Sequence, residues 1–277
     1  MSRSRLPASL ALLAPAFVLL VLGLVVPGGV LLYDVLFGRQ LTGAQGIGPA
    51  LDRFVSGPAL EALGRTLALA LATATVAVGV AYPVAYYLYS RRARRNVVIL
   101  CLFAPLFVSV VVRSYAWILV LVPRTGVISL VPFASDARLL FTEWAVLIGL
   151  VHILLPVAGL ALYASLANVR IEVLRAAQSL GASFPRVVVD VLLPLTAVGI
   201  TNAFTLVFVL SATAVAIPVL LGGVGANTIG YQIWQQFLIY GDYVYGSVLT
   251  FILVVSTLAV VAAVSAASRR LAPATAL

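Results

Sequence analysis

Few side chains in this 277-residue sequence have the types and spacing to do chemistry. Cys101 is the one cysteine, so no internal disulfide forms, and with His152 as the one histidine no protein-held metal cluster is expected. The seventeen basic residues are all arginine. Without lysine there can be no GxxxxGK[ST] loop, because that loop reaches the β- and γ-phosphates with its lysine. The chain is therefore not itself a P-loop ATPase. Gly181-Ala182-Ser183-Phe184-Pro185 lacks the second glycine and the preceding strand of a nucleophile elbow. Gly222-Gly223-Val224-Gly225 follows a predicted helix, which makes it a turn and not a dinucleotide loop. No residue is assigned a catalytic role.

The remaining candidates are suited to binding. Arg113 falls near the middle of an apolar stretch, where a guanidinium is costly. It either pairs with an acid or backbone carbonyls, or it shapes a solute path. Tyr115 and Trp117 beside it suit packing or interface positions better than a binding cage. Asp242, flanked by Tyr240, Tyr243 and Tyr245 and with Trp234 nearby, offers the ion pairing and cation–π contacts that a cationic amine would need. An aromatic belt at the outer interface is the competing reading, and it suits the pattern better. His152 has no acid within one turn, which fits a hydrogen-bonded bundle residue better than a proton relay. Glu143 and Asp34, near predicted outer ends, have weaker claims.

The elements that must position these residues follow from composition. The chain is 63% apolar and 9% charged, with a mean hydropathy of +1.17. Soluble domains carry about 25% charged residues, so this is an integral membrane protein. Apolar runs of about 20 residues mean helices, since barrel strands would show short period-two alternation. Six spans are predicted at about 11–37, 60–89, 97–121, 143–166, 195–221 and 246–267, within one membrane domain covering 1–277. The apolar run after Ser2-Arg3-Ser4-Arg5 is too long for a signal peptide and reads as an uncleaved first span. Tyr86, Tyr87 and Tyr89 after Tyr82-Pro83 fit a helix leaving the membrane at head-group level. Polar or glycine-rich loops are expected over Gly38–Gly57, Pro123–Thr142 and from Gly222 to Tyr245.

Arginine placement sets the orientation. With the N-terminus inside, Arg3, Arg5, Arg91, Arg92, Arg94, Arg95, Arg170, Arg175, Arg186, Arg269 and Arg270 are cytoplasmic. Only Arg39, Arg53, Arg65, Arg124 and Arg138 lie on the other side. The bias predicts N-in and C-in. The formal charge of +9 thus reflects topology and contact with anionic lipid, not nucleic acid.

That orientation puts the insert Glu172–Pro194 in the cytoplasm. Its first part is made of good helix formers, with Leu174, Ala177 and Gly181 forming a narrow stripe of small and apolar residues. Gly181 can end that helix in the left-handed conformation, and Ser183 can cap a second short helix with Pro185 in its first turn. Such a helix–bend–helix suits insertion into a partner's groove. An amphipathic element lying on lipid is the alternative.

Two motifs carry a family resemblance. Ala176-Ala177, Gly181, Val191 and Leu193-Pro194 resemble the EAA loop of ATP-binding-cassette importer permeases, E-A-A-x-x-x-G followed after nine residues by I-x-L-P. Arg113-Ser114-Tyr115-Ala116-Trp117 resembles the R-[ST]-Y-A-W run of the spermidine/putrescine-type subfamily. The six-span layout and Leu220-Leu221-Gly222-Gly223 extend the similarity over most of the chain.

The resemblance implies an all-α, six-span permease of the type I importer kind in the bacterial inner membrane. Its partners would be a second, homologous permease subunit, two cytoplasmic ATP-binding subunits and a periplasmic substrate-binding protein. The chain itself would bind no cofactor; ATP-Mg would sit on the partner ATPase. The loop 168–194 would couple the ATPase to the spans through Glu172, Leu174, Arg175, Ala176, Ala177, Gly181, Ala182, Val191, Leu193 and Pro194. The solute would be a polyamine, with aminophosphonate, ferric iron or another small organic solute as alternatives. One departure is plain: the motif's glutamate falls at Arg175. Either Glu172, one turn earlier, replaces it, or the cognate ATPase presents an acidic groove. A stand-alone secondary transporter would need intramembrane acids, and the predicted spans hold almost none.

Overall fold

The computed structural model describes residues 15, 18–19, 21–23, 25–26, 28–30, 33, 47–90, 95–123, 125–130 and 138–271. All regular structure among them is helical. The predicted first span, Asp34 and the arginines at 91, 92 and 94 lie wholly or largely outside the described residues.

Ten helical elements matter here. They are α1 (Ile47–Ser56), α2 (Pro58–Ser90), α3 (Arg95–Phe103), α4 (Val110–Leu121), α5 (Glu143–Ala167), α6 (Ile171–Ser179), α7 (Phe184–Leu195), α8 (Ala197–Ala212), α9 (Ile229–Gln235) and α10 (Tyr243–Leu271). By length and composition α2, α5 and most of α10 can each cross a membrane unbroken. Two further bent pairs raise the number to five if each is one span.

The first bent pair corrects the straight third span. Asn96–Phe107 and Val110–Leu121 meet at 97°. Pro105 sits in the 3₁₀ turn Ala104–Phe107, and Val108 and Ser109 are extended, so the hydrogen-bond ladder cannot continue. Arg113 consequently lies in the first turn of α4, not at the middle of a straight helix. The predicted fifth span is likewise split: α8 ends at Ala212, and helical structure resumes at Ala216, with Pro218, which brings no amide proton, in its first turn. The stretch from Gly222 to Tyr245, expected as loop, is largely helical, with a 3₁₀ turn at Gly223–Ala226, α9, and a π turn at Gln236–Tyr240. Gly38–Gly57 likewise contains α1.

The chain forms two compact units. One comprises Met1–Leu60 and Gln232–Val254, the other Glu61–Tyr231 and Val255–Leu277. In the second, α5 packs mainly on α8. A stripe of alanines on α2 (Ala70, Ala74, Ala77, Ala81 and Ala85), at three- and four-residue steps, is at most 1% exposed. With no driving force from water, helices in lipid associate where small residues let backbones approach. The stripe joins Leu154, Ala158, Leu162 and Leu166 of α5 and Ala203, Val207 and Phe208 of α8 in one core. Gly199 of α8 lies so close to Ser165 of α5 that a Cβ there would overlap the serine side chain. A second cluster in this unit gathers Leu69, Leu121, Val146, Leu150, Ile153 and Ile217.

In the first unit, Asp242 organises the start of α10. Its Oδ1 accepts the Tyr245 N–H at 3.1 Å, an N-cap bond that the sequence reading did not anticipate. Gly241 before it takes φ +65°, reversing the chain after the π turn.

Candidate functional site

The connection from α5 to α8 is built as a helix–bend–helix insert. After α5, the Asn168 side-chain amide donates to the Ala164 carbonyl at 3.0 Å, closing the helix end. Helix α6 then ends in a Schellman motif: Ala182 N–H donates to Ala177 O at 3.1 Å and Gly181 N–H to Gln178 O at 2.9 Å. The motif requires a left-handed residue, and Gly181 supplies it with φ +86°. Ala177 and Ala182, on either side of the bend, each pack against the core. The spacing of Ala177, Gly181 and Ala182 is therefore the requirement of one tight bend.

Ser183 stands at the N-cap of α7 with Pro185 in the first turn, though its side chain makes no capping bond. The Val187 N–H reaches the Ser183 carbonyl instead, at 2.9 Å. Pro194 lies inside α7 and donates nothing; the turn before it, Val188–Leu192, is widened so that the Leu193 N–H reaches Val188 five residues back. The break comes at Thr196, where α7 and α8 meet at 71°. Leu193-Pro194 thus falls within the last turn of the second helix.

Side-chain direction divides the sequence-predicted residues. Leu174 is 6% exposed and joins Val187 and Leu192 in the core shared by α2, α5 and α8. The apolar stripe expected to face a partner thus anchors the insert to its own bundle, because that is the nearest dry surface. Val191 and Leu193 are half-buried and Pro194 is exposed. The outer face presents Glu172, Arg175, Ala176 and Gly181. Leu180, at the bend, is 89% exposed, and sequence reasoning passed over it. Glu172 and Arg175 line one groove of about 710 Å³ together with Tyr89, Tyr163 and Val169. Glu172 also lies 3.7 Å from Arg170, with both side chains largely in solvent.

Three tyrosines of α2 hold this insert. Tyr89 donates its hydroxyl to the Val169 carbonyl at 3.0 Å, where the insert begins. The Tyr86 ring packs on Phe184 with centroids 5.6 Å apart. The Tyr82 hydroxyl is 3.0 Å from Thr196 Oγ1, where the insert ends. The sequence reading took Tyr86 and Tyr89 as head-group residues; the three-and-four spacing with Tyr82, one helical face, was the signal for the brace.

The other candidates fall into both units. Arg113 is 8% exposed, and among the described residues its Nε and Nη1 have no hydrogen-bond acceptor. One turn on, Trp117 donates its indole N–H to Nδ1 of His152 at 3.1 Å, in an edge-on ring contact. A His152 that accepts at Nδ1 carries its proton on Nε2 and is neutral. Tyr115 is 57% exposed. In the other unit, Asp242 is already engaged: beyond its capping bond, Oδ2 lies 3.2 Å from Arg53 Nη1. The Arg53 guanidinium stacks 4.2 Å above the Tyr245 ring, so the acid and one of its aromatics serve an internal cation. Trp234 belongs to α9 in this unit and is 36% exposed. Glu143 is paired too, accepting from Arg65 Nε at 2.9 Å, while Arg65 also bridges to Glu61.

The second unit is thus an apolar, broken-helix bundle carrying a braced helix–bend–helix insert. Residues 77–276 match the family of binding-protein-dependent transport system inner membrane components, and the chain belongs to that family. It is a multi-pass inner-membrane permease component of an ATP-binding-cassette importer, not an enzyme, and the ATPase of such a system is a separate subunit. Over 197 residues it is 30% identical to the spermidine/putrescine transport system permease protein PotB of Salmonella typhimurium (strain SL1344), covering 68% of this chain and 67% of the relative. The PotB protein of Escherichia coli (strain K12) is equally similar, with 70% of it covered. Among solved structures, a bacterial ABC transporter involved in the import of the acidic polysaccharide alginate shares the fold, with a TM-score of 0.78 at 18% identity, covering 95% of each chain. The MetNI methionine ABC transporter gives a TM-score of 0.54 at 20% identity, over 78% of this chain and 97% of that one.

Proposed function

We propose that this chain is a six-span, N-in and C-in permease that carries a polyamine across the inner membrane. It would pair with a homologous second permease, receive solute from a periplasmic binding protein and be driven by two cytoplasmic ATPases that hold ATP-Mg. The observation that carries the coupling is the α6–Gly181–α7 insert. Its apolar side is sunk in the bundle, and its outer side offers Glu172, Arg175, Ala176 and Leu180 to a partner. Leu174 and Ala177 face the bundle, while Val173, Leu180 and Phe184 stay exposed as the apolar contacts a partner's groove would take. The arginine bias supports the orientation, and the PotB relatives support the solute class.

ATP binding would draw the two ATPases together, displace the insert and switch the bundle between two access states. The chain makes or breaks no covalent bond in this cycle. Site-specific cross-linking tests the docking face. In a Cys101→Ser background, Ala176→Cys should cross-link to the ATPase within the assembled transporter, and Leu174→Cys should not. Cross-linking of Ala176→Cys to lipid probes alone would refute the assignment. Titration of the binding protein with putrescine, spermidine, an aminophosphonate and ferric ion tests the solute class.

A further inference from the structure

Tyr82, Tyr86 and Tyr89 lie on one face of α2 and meet the insert at its entry, its corner and its exit. Covalently, the insert is continuous only with α5 and α8. These three contacts are its polar and aromatic ties to α2. The exit tie is the most pointed. Thr196 occupies the break between α7 and α8 (φ −101°, ψ 6°), and its Oγ1 donates to the Leu192 carbonyl at 2.8 Å. Because that hydroxyl spends its proton on Leu192, the Tyr82 hydroxyl is the donor in the 3.0 Å contact. A relay therefore runs from Tyr82 through Thr196 to the last turn of α7. Thr196 is 1% exposed, which shields its bond to Leu192 from water, and the Tyr82 contact is part-buried.

We infer that this tyrosine stripe is a transmission brace. It makes α2 follow the insert, and the Tyr82–Thr196–Leu192 relay ties the α7–α8 joint to α2, so that displacement at the docking face reaches α2 and is not absorbed at the break. Without the relay, the 71° joint keeps its backbone bonds, Thr196 N–H to Leu192 O at 3.0 Å and Ile200 N–H to Thr196 O at 2.8 Å, but loses its tie to α2, and α7 can move while α2 stays still. The residues are positioning residues: they touch neither solute nor nucleotide. The inference rests on the insert being the ATPase-docking element, and its test separates the two.

The test uses the complete transporter in proteoliposomes, with Thr196→Val, Thr196→Ser, Tyr82→Phe and the pair Tyr82→Phe/Tyr89→Phe. Three quantities are read: ATPase retained on purification, binding-protein-stimulated ATP hydrolysis, and solute accumulated per ATP hydrolysed. ATPase retention should match wild type in every variant. Solute moved per ATP should fall roughly 5- to 10-fold in Thr196→Val and Tyr82→Phe, the scale set by one lost buried hydrogen bond. The paired variant should fall further. Thr196→Ser keeps the hydroxyl and should restore the ratio. A purely structural contribution would lower the amount of folded transporter and leave the ratio per ATP unchanged, and that result overturns the brace. If wild type itself retains no ATPase, the docking assignment fails. If only the paired variant loses ATPase, the tyrosines orient the docking face and transmit nothing, which also overturns the brace.

Discussion

Asp242 is held 3.2 Å from the guanidinium of Arg53, and its other oxygen caps α10. An acid among aromatics, the feature that suggested a cationic-amine site, is thus satisfied within the chain. Asp242→Ala removes a cap worth about 1 kcal/mol and should lower the melting temperature by roughly 2–4 °C. Asp242→Asn keeps the capping oxygen and loses a partly exposed ion pair, so its shift should be smaller. Neither should change the apparent KM for spermidine uptake. A tenfold rise in Asp242→Asn would put the carboxylate back on the solute path.

Gly199 of α8 lies directly against Ser165 of α5. Gly199→Ala forces its methyl into the serine side chain, an overpacking of about 1–3 kcal/mol. Thermal melting in detergent should show a clear drop, and Ser165→Gly in the same chain should recover most of it. A Gly199→Ala chain that melts like wild type would mean that the two helices are further apart than described.

Arg113 sits in the first turn of α4, where the helix dipole opposes a cation, and two of its nitrogens are buried without an acceptor among the described residues. Such a residue weakens the isolated chain. Arg113→Met should therefore raise the melting temperature of the isolated permease while lowering uptake by the assembled transporter at least about tenfold, since an unfavourable buried charge is tolerated where function needs it. Normal uptake with a lower melting temperature would make Arg113 a packing residue.

Arg175 is exposed on the proposed docking face, at the position where the EAA pattern it resembles has glutamate. If the ATPase groove is complementary to arginine, Arg175→Glu should weaken ATPase association at low salt, and added salt should narrow the difference. Tight association of the Arg175→Glu chain would favour Glu172 as the replacement for the motif's acid. Glu172 lies on the same groove as Arg175.

Much of this was readable from the sequence, and the failures have physical causes. Apolar runs located α2, α5 and α10 to within a few residues because lipid demands length and composition, not a specific partner. Gly181 was readable because only a left-handed residue closes that bend. The bends at Val108 and Thr196 were not, since a hydropathy run continues through both while the backbone dihedrals change. The direction of Leu174 was missed because a short apolar stripe fits a partner's groove and its own bundle equally well. Asp242 was misleading for a related reason: its partner, Arg53, is 189 residues away in the chain.

Uptake of labelled spermidine into proteoliposomes tests the proposed transport directly. Accumulation is expected only when this chain, its paired permease, the ATPase and the loaded binding protein are all present with Mg-ATP on the ATPase side. Uptake by this chain alone, or uptake driven by an ion gradient with the ATPase absent, would contradict a permease coupled to ATP through the α6–α7 insert.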